Sequence, residues 1–338
     1  MNAVKPSLSP TLEAPRAPRP HLPRTPAWLR PVLVVVLLEL ALVSGGLLLL
    51  PVHEWVLQQA IPITYFEPEL DRPDELEQIR GPIFAFRHGI NRSVIVDTGA
   101  ELAVFDTFNK THAERLRREL EVRFPGHEVR WVFYSHSHLD HIGGAAALHP
   151  KEVLAHRGVM PHVADWPNAD VLPVTRTLEG DADLMLGSVH VRLLHLGESH
   201  TDSLYAFHFP EQRTVFAPDT AFIHTAPPFG VPDHYYPGYI RALDRIAAID
   251  FDVCLPAHFG WGNKSEFLEF RQMMIDYRAA AAALVADMGG DPSRGAGQRA
   301  RIGAAYRELK VKYGSYHGFD AMFIPHFLGG IGGTYLGY

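Results

Sequence analysis

The chain has 338 residues, of which 47% are hydrophobic and 20% are charged, and its formal net charge at pH 7 is −7. This composition is typical of a globular protein and excludes the collagenous, disordered and disulfide-rich classes. The single cysteine, Cys254, cannot form an intramolecular disulfide, and the chain has no Cys-x-x-Cys pair to hold zinc. Because the chain contains 20 histidines, we expect any metal site to use histidine and carboxylate ligands.

The first 50 residues are interpreted as a tail followed by a membrane anchor. Residues 1–31 hold eight prolines and five Lys or Arg residues against one acid, which indicates a disordered basic tail. Residues 32–50 follow with a single ionisable group, Glu39. At about 1.5 Å of rise per residue this segment is just long enough to cross a bilayer core, so we expect a transmembrane helix. A cleaved signal peptide is the alternative.

The charge on either side of this segment predicts its orientation. Residues 1–31 carry the Lys and Arg excess, whereas residues 51–80, interpreted as an acidic linker, hold seven acids and two cations. Since positive charge favours the cytoplasmic side, we expect a single-pass protein of the cytoplasmic (inner) membrane with its N-terminus in the cytoplasm. The body of the protein would then be extracytoplasmic, which means periplasmic if the cell is Gram-negative.

From residue 81 onward the pattern is that of an α/β domain. Short β-branched and apolar runs predict strands at 93–96, 102–105, 129–134, 188–196, 204–209, 214–217 and 252–255. Apolar spacing and stop signals predict helices at 109–124 and 239–249. This alternation indicates a layered α/β sandwich over residues 81–262.

The last part of the chain, residues 263–338, is predicted to be a helical extension that packs on this domain. Asn263 and Glu266 resemble a capping box that opens a helix over 263–288, and a cationic helix is predicted at 298–313. The remainder is rich in glycine and aromatic residues and has one charged side chain. We expect it to pack on the body of the protein because it is too apolar to remain in water.

A histidine-rich motif directly follows a predicted buried strand. Residues 136–141 have the pattern H-x-H-x-D-H, which places four potential ligands on a strand-to-helix turn. In an extended segment alternate side chains point the same way, so His136 and His138 share a face, while Asp140 and His141 begin the next turn. One loop is therefore predicted to serve two metal ions.

This motif resembles that of the metallo-β-lactamase superfamily of dinuclear metallohydrolases. Four further segments occur in the family's order and extend the resemblance over about residues 81–262. They are an early hairpin that ends at Asp106 and the segments that carry His200, Asp219 and His258. The resemblance implies an αββα sandwich with the site at the edge of its two sheets.

The resemblance also implies a set of metal ligands. One metal would be held by His136, His138 and His200, the other by Asp140, His141 and His258, with Asp219 bridging the two. Asp106 is expected to support a metal-binding histidine, because such histidines usually donate their second ring nitrogen to an acceptor. Asp140 is expected to be catalytic as well, by orienting a hydroxide or passing a proton to the leaving group.

The ligand types predict the metal and the reaction. Histidine and carboxylate without thiolate suit Zn²⁺, Fe²⁺ or Mn²⁺, and the histidine-rich first site favours zinc, so we expect two Zn²⁺ ions. Such a pair would hold a hydroxide ready to attack. We therefore expect a membrane-anchored hydrolase that acts on a small carbonyl substrate: a lactam, lactone, ester or thioester. A phosphodiesterase and a non-catalytic metal-binding accessory protein are the alternatives.

Two further expectations concern the substrate. His224, His234 and Tyr235 follow the predicted bridging aspartate among prolines and glycines, which indicates a loop beside the site that could donate to an oxyanion. A solvated aromatic loop is the alternative. A nucleic-acid partner is not expected, because residues 51–338 hold 26 Lys and Arg against 36 Asp and Glu.

Overall fold

The computed structural model describes residues 72–228, 234–290 and 297–336. The predicted tail at 1–31 and the predicted transmembrane segment at 32–50 lie outside these residues, as does most of the predicted linker at 51–80. Within the described part of the chain, no helix combines the length and the apolar character needed to span a bilayer.

Two β-sheets form the centre of the described part of the molecule. In these residues the first sheet has seven strands, adjacent in chain order: β1 (Glu75–Arg80), β2 (Ile83–His88), β3 (Asn91–Asp97), β4 (Glu101–Phe105), β5 (Glu128–Phe133), β6 (Glu152–His156) and β7 (Arg176–Leu178). The second sheet, over the same described residues, has six: β8 (Ala182–Leu186), β9 (Val189–His195), β10 (Tyr205–Phe209), β11 (Thr214–Phe216), β12 (Val253–Leu255) and β13 (Gly262–Asn263). Its spatial order is β13-β12-β11-β10-β9-β8.

Helices follow or connect these strands. They are α1 (Lys110–Arg123), α2 (Leu139–Ile142), α3 (Val159–Asp165), α4 (Tyr236–Ala247), α5 (Lys264–Asp287), α6 (Gln298–Tyr313) and α7 (Phe319–Leu336). The capping box predicted at the start of α5 is confirmed, because the Asn263 side chain accepts from the Glu266 amide and the Glu266 carboxylate accepts from the Asn263 amide.

Buried side chains between and outside the sheets establish the order of layers. Phe105 of the first sheet and Phe207 of the second meet between the sheets, with ring centroids 4.8 Å apart. The outer face of the first sheet packs against α1, including its buried Leu116. The outer face of the second sheet packs against α4, α5 and α7. The architecture is therefore an α/β sandwich of two sheets with helices outside, as the sequence predicts.

Strand direction brings several strand ends to one edge. β4 and β5 are parallel, so Asp106 and the 136–141 motif, which follow them, leave the first sheet on the same side. β11 and β12 are parallel too, and Asp219 and His258 follow these two strands. β9 runs parallel to β11, since each is antiparallel to β10 between them, so the segment with His200 leaves at the same edge.

The structure also contains strands that the sequence pattern does not predict, namely β2, β6, β7, β8 and β13, and two further regions differ in kind from their prediction. The end of the predicted linker is β1, which pairs with β2 as an edge strand of the first sheet. The glycine-rich C-terminal segment forms α7, although it contains Pro325 and four glycines that disfavour a helix. Phe319, Phe323 and Phe327, spaced four residues apart, are all buried along α7. Their tertiary packing stabilises a helix that local propensity does not predict.

Candidate metal centre

The seven side chains predicted as metal ligands come together where the two sheets share an edge. Among the described residues they form two groups, which are His136, His138, His200 and Asp219, and Asp140, His141 and His258. Within each group, one potential ligand atom per residue lies within 4.8 Å of the others. The two groups therefore have the composition that the sequence assigns to two metal positions.

The potential ligand atoms converge closely. His138 Nδ1 lies 3.1 Å from His200 Nε2, and His141 Nε2 lies 3.2 Å from His258 Nε2. Asp219 Oδ2 is 3.1 Å from the Nε2 atoms of both His141 and His200, and its Oδ1 is 3.2 Å from His258 Nε2. The Asp219 carboxylate thus contacts both groups, as a bridging ligand would.

Unsatisfied buried atoms show that these residues fit metal ions. His136 Nε2 and Asp219 Oδ1 are buried and have no hydrogen-bond partner among the described residues. Leaving such an atom without a partner costs about 1–3 kcal/mol, which a bound cation would offset. Imidazole nitrogens and carboxylate oxygens in groups of three and four are the ligands that zinc and similar divalent ions take in proteins.

Burial and close charges shift the ionisation of the central residues. Burial lowers the pKa of His136 well below its ordinary value, which keeps this imidazole neutral as a metal ligand must be. Burial also disfavours charge on His141, but the carboxylates of Asp219 and Asp140 outweigh it and raise the pKa of His141 well above its ordinary value. Burial raises the pKa of Asp219, yet the imidazoles of His141, His258 and His200 hold it well below its ordinary range. The Asp219 carboxylate is therefore ionised at neutral pH.

Asp106 fixes the orientation of two of the histidines. Its fully buried carboxylate accepts from His141 Nδ1 at 2.9 Å, from the Ser135 hydroxyl at 2.8 Å and from the Ser135 amide at 2.8 Å. Because the Ser135 hydroxyl donates to Asp106, it accepts from His136 Nδ1, 2.8 Å away. Both imidazoles then present Nε2 to the centre of the site. The structure therefore places Asp106 next to His141, one of the histidines that the sequence predicts as metal ligands.

Asn91 and Arg92 hold the loop that carries His258. Asn91 Oδ1 accepts from His258 Nδ1 at 3.1 Å. The backbone amide of Arg92 donates to Ala257 O at 2.7 Å, and its buried guanidinium donates to Phe259 O at 2.5 Å. The sequence pattern does not indicate such a role for these residues or for Ser135. Asn91 and His258 are 167 positions apart, and no local pattern indicates that they meet.

A cavity of about 240 Å³ opens onto the two groups. Its polar floor is formed by His138, Asp140, His200, Asp219 and His258. Its walls are formed by Ile90, Phe222, Pro227, Pro228, His234, Tyr239, Phe259, Met274 and His326. Met274 belongs to α5 and His326 to α7, so the C-terminal helices complete the wall. A mostly apolar cavity with a few convergent polar groups is typical of small-molecule sites.

The three residues predicted to form a substrate loop lie in different places. His234 lines the cavity, with its ring centroid 6.3 Å from that of His200. His224 Nε2 lies 2.8 Å from a carboxylate oxygen of Glu266, and the His224 side chain is 54% exposed. Tyr235 is the N-cap residue of α4. Of the three, His234 is the one that the structure brings to the cavity wall.

Comparison with known proteins agrees with this arrangement. Residues 87–258 match the metallo-beta-lactamase superfamily. The alpha subunit of a 2,4-dinitroanisole O-demethylase from Nocardioides sp. (strain JS1661) is 28% identical over 229 residues, which span 66% of this chain and 69% of that protein.

Solved structures share the fold at low sequence identity. A metallo-beta-lactamase from Pontibacter korlensis matches with a TM-score of 0.54 and 19% identity, covering 60% of this chain and 99% of that one. A stereoselective inverting sec-alkylsulfatase from Pseudomonas sp. matches with a TM-score of 0.54 and 16% identity, covering 63% of this chain and 43% of that one. The family match spans half of the chain, and with the motif and the fold it shows that this protein belongs to the metallo-β-lactamase superfamily.

Proposed function

We propose that this protein is a hydrolase that uses two zinc ions to cleave a small carbonyl substrate: a lactam, lactone, ester or thioester. One observation carries the proposal. The two ligand groups are joined by Asp219 and face a single cavity whose walls are mostly apolar. The floor therefore supplies the reactive groups, and the walls supply a surface for the body of a small organic molecule.

The chain's own residues prepare this floor for reaction. When bound, the two ions would lower the pKa of a shared water toward neutrality and polarise the bond under attack. Asp219 contacts both groups, while Asp106, Ser135 and Asn91 hold the histidine rings by hydrogen bonds. Because these partners are already in place, the ligands need little reorganisation during the reaction.

Asp140 is suited to move a proton. It lies in the first turn of helix α2, and its side chain is 64% exposed although it belongs to the second ligand group and lines the cavity. One of its carboxylate oxygens lies 3.6 Å from His141 Nε2. A carboxylate in this position can accept a proton from the attacking water and return it to the leaving group.

The cavity walls are suited to exclude water. Phe222, Phe259 and Met274 line the cavity and are buried. A substrate body packed against them would displace solvent, and the electrostatic interactions on the floor would strengthen in the lower dielectric.

Metal analysis combined with turnover tests this proposal. We expect the purified full-length chain to bind two zinc ions and to hydrolyse at least one member of a panel of lactams, lactones, esters and thioesters. His136→Ala and His258→Ala should each retain about one zinc, because each removes a ligand from a different group. His190→Ala is the control. The His190 imidazole pairs with Asp183 of β8 at the surface, so this variant should keep both ions. A chain that takes up no metal on zinc addition refutes the proposal.

A second candidate reaction is hydrolytic O-demethylation of an aryl methyl ether, in which water and the ether give a phenol and methanol. The 28% identity to the alpha subunit of a 2,4-dinitroanisole O-demethylase favours this candidate. Because that relative is one subunit of an enzyme, the candidate includes a partner protein. The assay is release of methanol from 2,4-dinitroanisole by the zinc-loaded chain. Turnover of the ether without turnover of the carbonyl panel would replace the first candidate by the second.

We further propose that residues 32–50 anchor the protein in the cytoplasmic membrane, with the hydrolase domain outside the cytoplasm. The proposal rests on the apolar sequence of this segment and on the charge difference across it. The test is alkaline extraction of membranes from cells that express the full chain or the chain without residues 1–50. Release of the full chain into the soluble fraction would refute anchoring.

A further inference from the structure

His326 occupies a place in the cavity wall that the superfamily match does not cover. It lies on α7, beyond the matched residues 87–258, and its side chain lines the cavity. Its ring centroid is 5.1 Å from that of Tyr277 on α5 and 5.5 Å from that of Tyr236 on α4. Three helices therefore hold this buried imidazole in position.

The hydrogen bond between Tyr236 and His326 determines which ring nitrogen carries the proton. The Tyr236 hydroxyl pairs with His326 Nε2. Burial raises the pKa of Tyr236 well above its ordinary value, so the phenol keeps its proton, and burial lowers the pKa of His326 to about 4, so the imidazole is neutral. The described residues offer the Tyr236 hydroxyl no other acceptor, so it donates to Nε2 and the ring proton resides on Nδ1.

Nδ1 of His326 is then a donor without a partner. It is buried, and no described residue accepts a hydrogen bond from it, in a side chain that is 5% exposed. Buried donors are normally paired, because an unpaired one loses its hydrogen bonds to water without replacement. Since His326 lines the cavity, a bound molecule can supply the missing acceptor.

A row of rings separates this donor from the metal ligands. The ring centroids of His200 and His234 are 6.3 Å apart, those of His234 and Tyr236 are 5.0 Å apart, and those of Tyr236 and His326 are 5.5 Å apart. The series of ring contacts that leads from His200 to His326 thus passes through two other rings, those of His234 and Tyr236. A substrate whose reacting bond lies at the floor would meet His326 with its opposite end.

We propose that His326 Nδ1 donates a hydrogen bond to an acceptor oxygen at the end of the substrate remote from the bond that is cleaved. The proposal rests on the proposed hydrolase function and narrows its substrate class to molecules with an apolar body and a polar acceptor at the far end. His326 is then a substrate-binding residue. Tyr236 is a positioning residue, because its hydroxyl keeps the ring proton on Nδ1.

The test compares two esters of similar shape, methyl 4-nitrobenzoate and methyl 4-isopropylbenzoate. The nitro group offers acceptor oxygens at the far end of the molecule, and the isopropyl group offers none. The nitro group also changes the intrinsic reactivity of the ester, but this change is the same for the wild type and a variant. The ratio of wild-type to variant kcat/KM for each ester therefore isolates the contact with His326.

We expect His326→Phe to lower kcat/KM for the nitro ester about tenfold, mainly through KM, and to change the isopropyl ester less than about twofold. His326→Asn should restore part of the preference, because its amide nitrogen can replace Nδ1 as the donor. The zinc content of both variants should be unchanged. His208→Phe is the matched control: this equally buried histidine donates to the backbone of Asp250, and its substitution should leave the wild-type preference for the nitro ester unchanged.

Each outcome separates this proposal from the proposed function. Equal losses on both esters in His326→Phe, or no loss on either, would overturn the role of His326 and leave the hydrolase intact. If the zinc-loaded wild type hydrolyses neither ester, calorimetry measures the affinity of the wild type and of His326→Phe for each ester instead. Tighter binding of the nitro ester by the wild type, lost in His326→Phe, supports the contact. Equal affinities of the wild type for the two esters overturn it.

Discussion

The two sides of the cavity are built on different physical principles. On the floor, buried polar groups constrain one another: the Asp106 carboxylate accepts three hydrogen bonds, and Asp219 contacts imidazoles of both ligand groups. On the C-terminal wall, apolar helices pack by burial, and a single donor, His326 Nδ1, faces no acceptor in the described residues. In the proposed hydrolase the floor would carry out the reaction, and the wall would choose among the substrates that could undergo it.

The largest effect should come from the residue that joins the two ligand groups. Asp219→Asn removes the negative charge that contacts both groups, so we expect zinc content to fall and kcat/KM to drop more than about 1,000-fold. Elemental analysis and turnover of the best substrate measure the two effects. Asp183→Asn, on the exposed side of β8, is the control and should change neither. Normal zinc content and activity in Asp219→Asn would remove the basis for a shared site.

The wall can be weakened without touching the floor. Phe323 of α7 is fully buried against the rings of Tyr277 and Tyr306, so Phe323→Ala should lower the free energy of unfolding by about 3–5 kcal/mol. We expect zinc content to stay at the wild-type value, because no ligand lies on α7. Urea unfolding monitored by circular dichroism measures the change, and Ile324→Ala, at a position that is 45% exposed on the same helix, is the control. Loss of zinc in folded Phe323→Ala would contradict the separation of wall and floor.

The floor can also be weakened through its hydrogen bonds alone. Asp106 has a φ of 58°, a conformation that asparagine tolerates, so Asp106→Asn changes the charge and the acceptors with little backbone strain. We expect zinc affinity to fall about 10- to 100-fold, because His141 and His136 lose their common support. Ser135→Ala should have the smaller effect, since it removes the acceptor of His136 Nδ1 and one hydrogen bond to Asp106 but leaves the bond between Asp106 and His141. Competition with a zinc chelator measures both, and equal losses in the two variants would contradict a direct role for Asp106.

The floor and the wall also differ in how far they could be predicted from sequence. Four of the proposed ligands could be predicted because His136, His138, Asp140 and His141 lie within six residues and metal chemistry restricts the residue types. The resemblance to the superfamily implied the other three, His200, Asp219 and His258. The role of Ser135 could not be predicted, because it depends on Asp106, which follows the neighbouring strand β4. Helix α7 could not either: its glycines and Pro325 disfavour a helix locally, and burial against α5 overrides them.

The strands also divide into those that local sequence predicts and those that it does not. Apolar runs predict β3, β4, β5 and the strands from β9 to β12 because these elements are largely buried and carry β-branched, aromatic or other apolar residues. β1 has the polar sequence ELEQIR, and its strand conformation comes from pairing with β2 at the edge of the sheet. The alternating β8 packs one face on the core, and the three-residue β7 is too short for a periodic pattern. Pairing partners, which no local pattern contains, define these elements.

The smallest expected effect concerns the contact between His224 and Glu266, which lies outside the cavity. The hydrogen bond from His224 and that from the Asn263 amide lower the pKa of Glu266 below its ordinary value, despite partial burial. A carboxyl with a lowered folded-state pKa stabilises the fold above its unfolded pKa, about 4.3, and loses this contribution as pH falls through the folded value. Glu266→Gln should therefore destabilise the protein at pH 7 by less than about 1 kcal/mol, because the pair is partly exposed, and should differ little from wild type at pH 3. Urea unfolding at both pH values measures the difference in unfolding free energy, and Glu119→Gln on the exposed face of α1 is the control. If Glu266→Gln destabilises the protein more at pH 3 than at pH 7, the charge on Glu266 does not stabilise the start of α5.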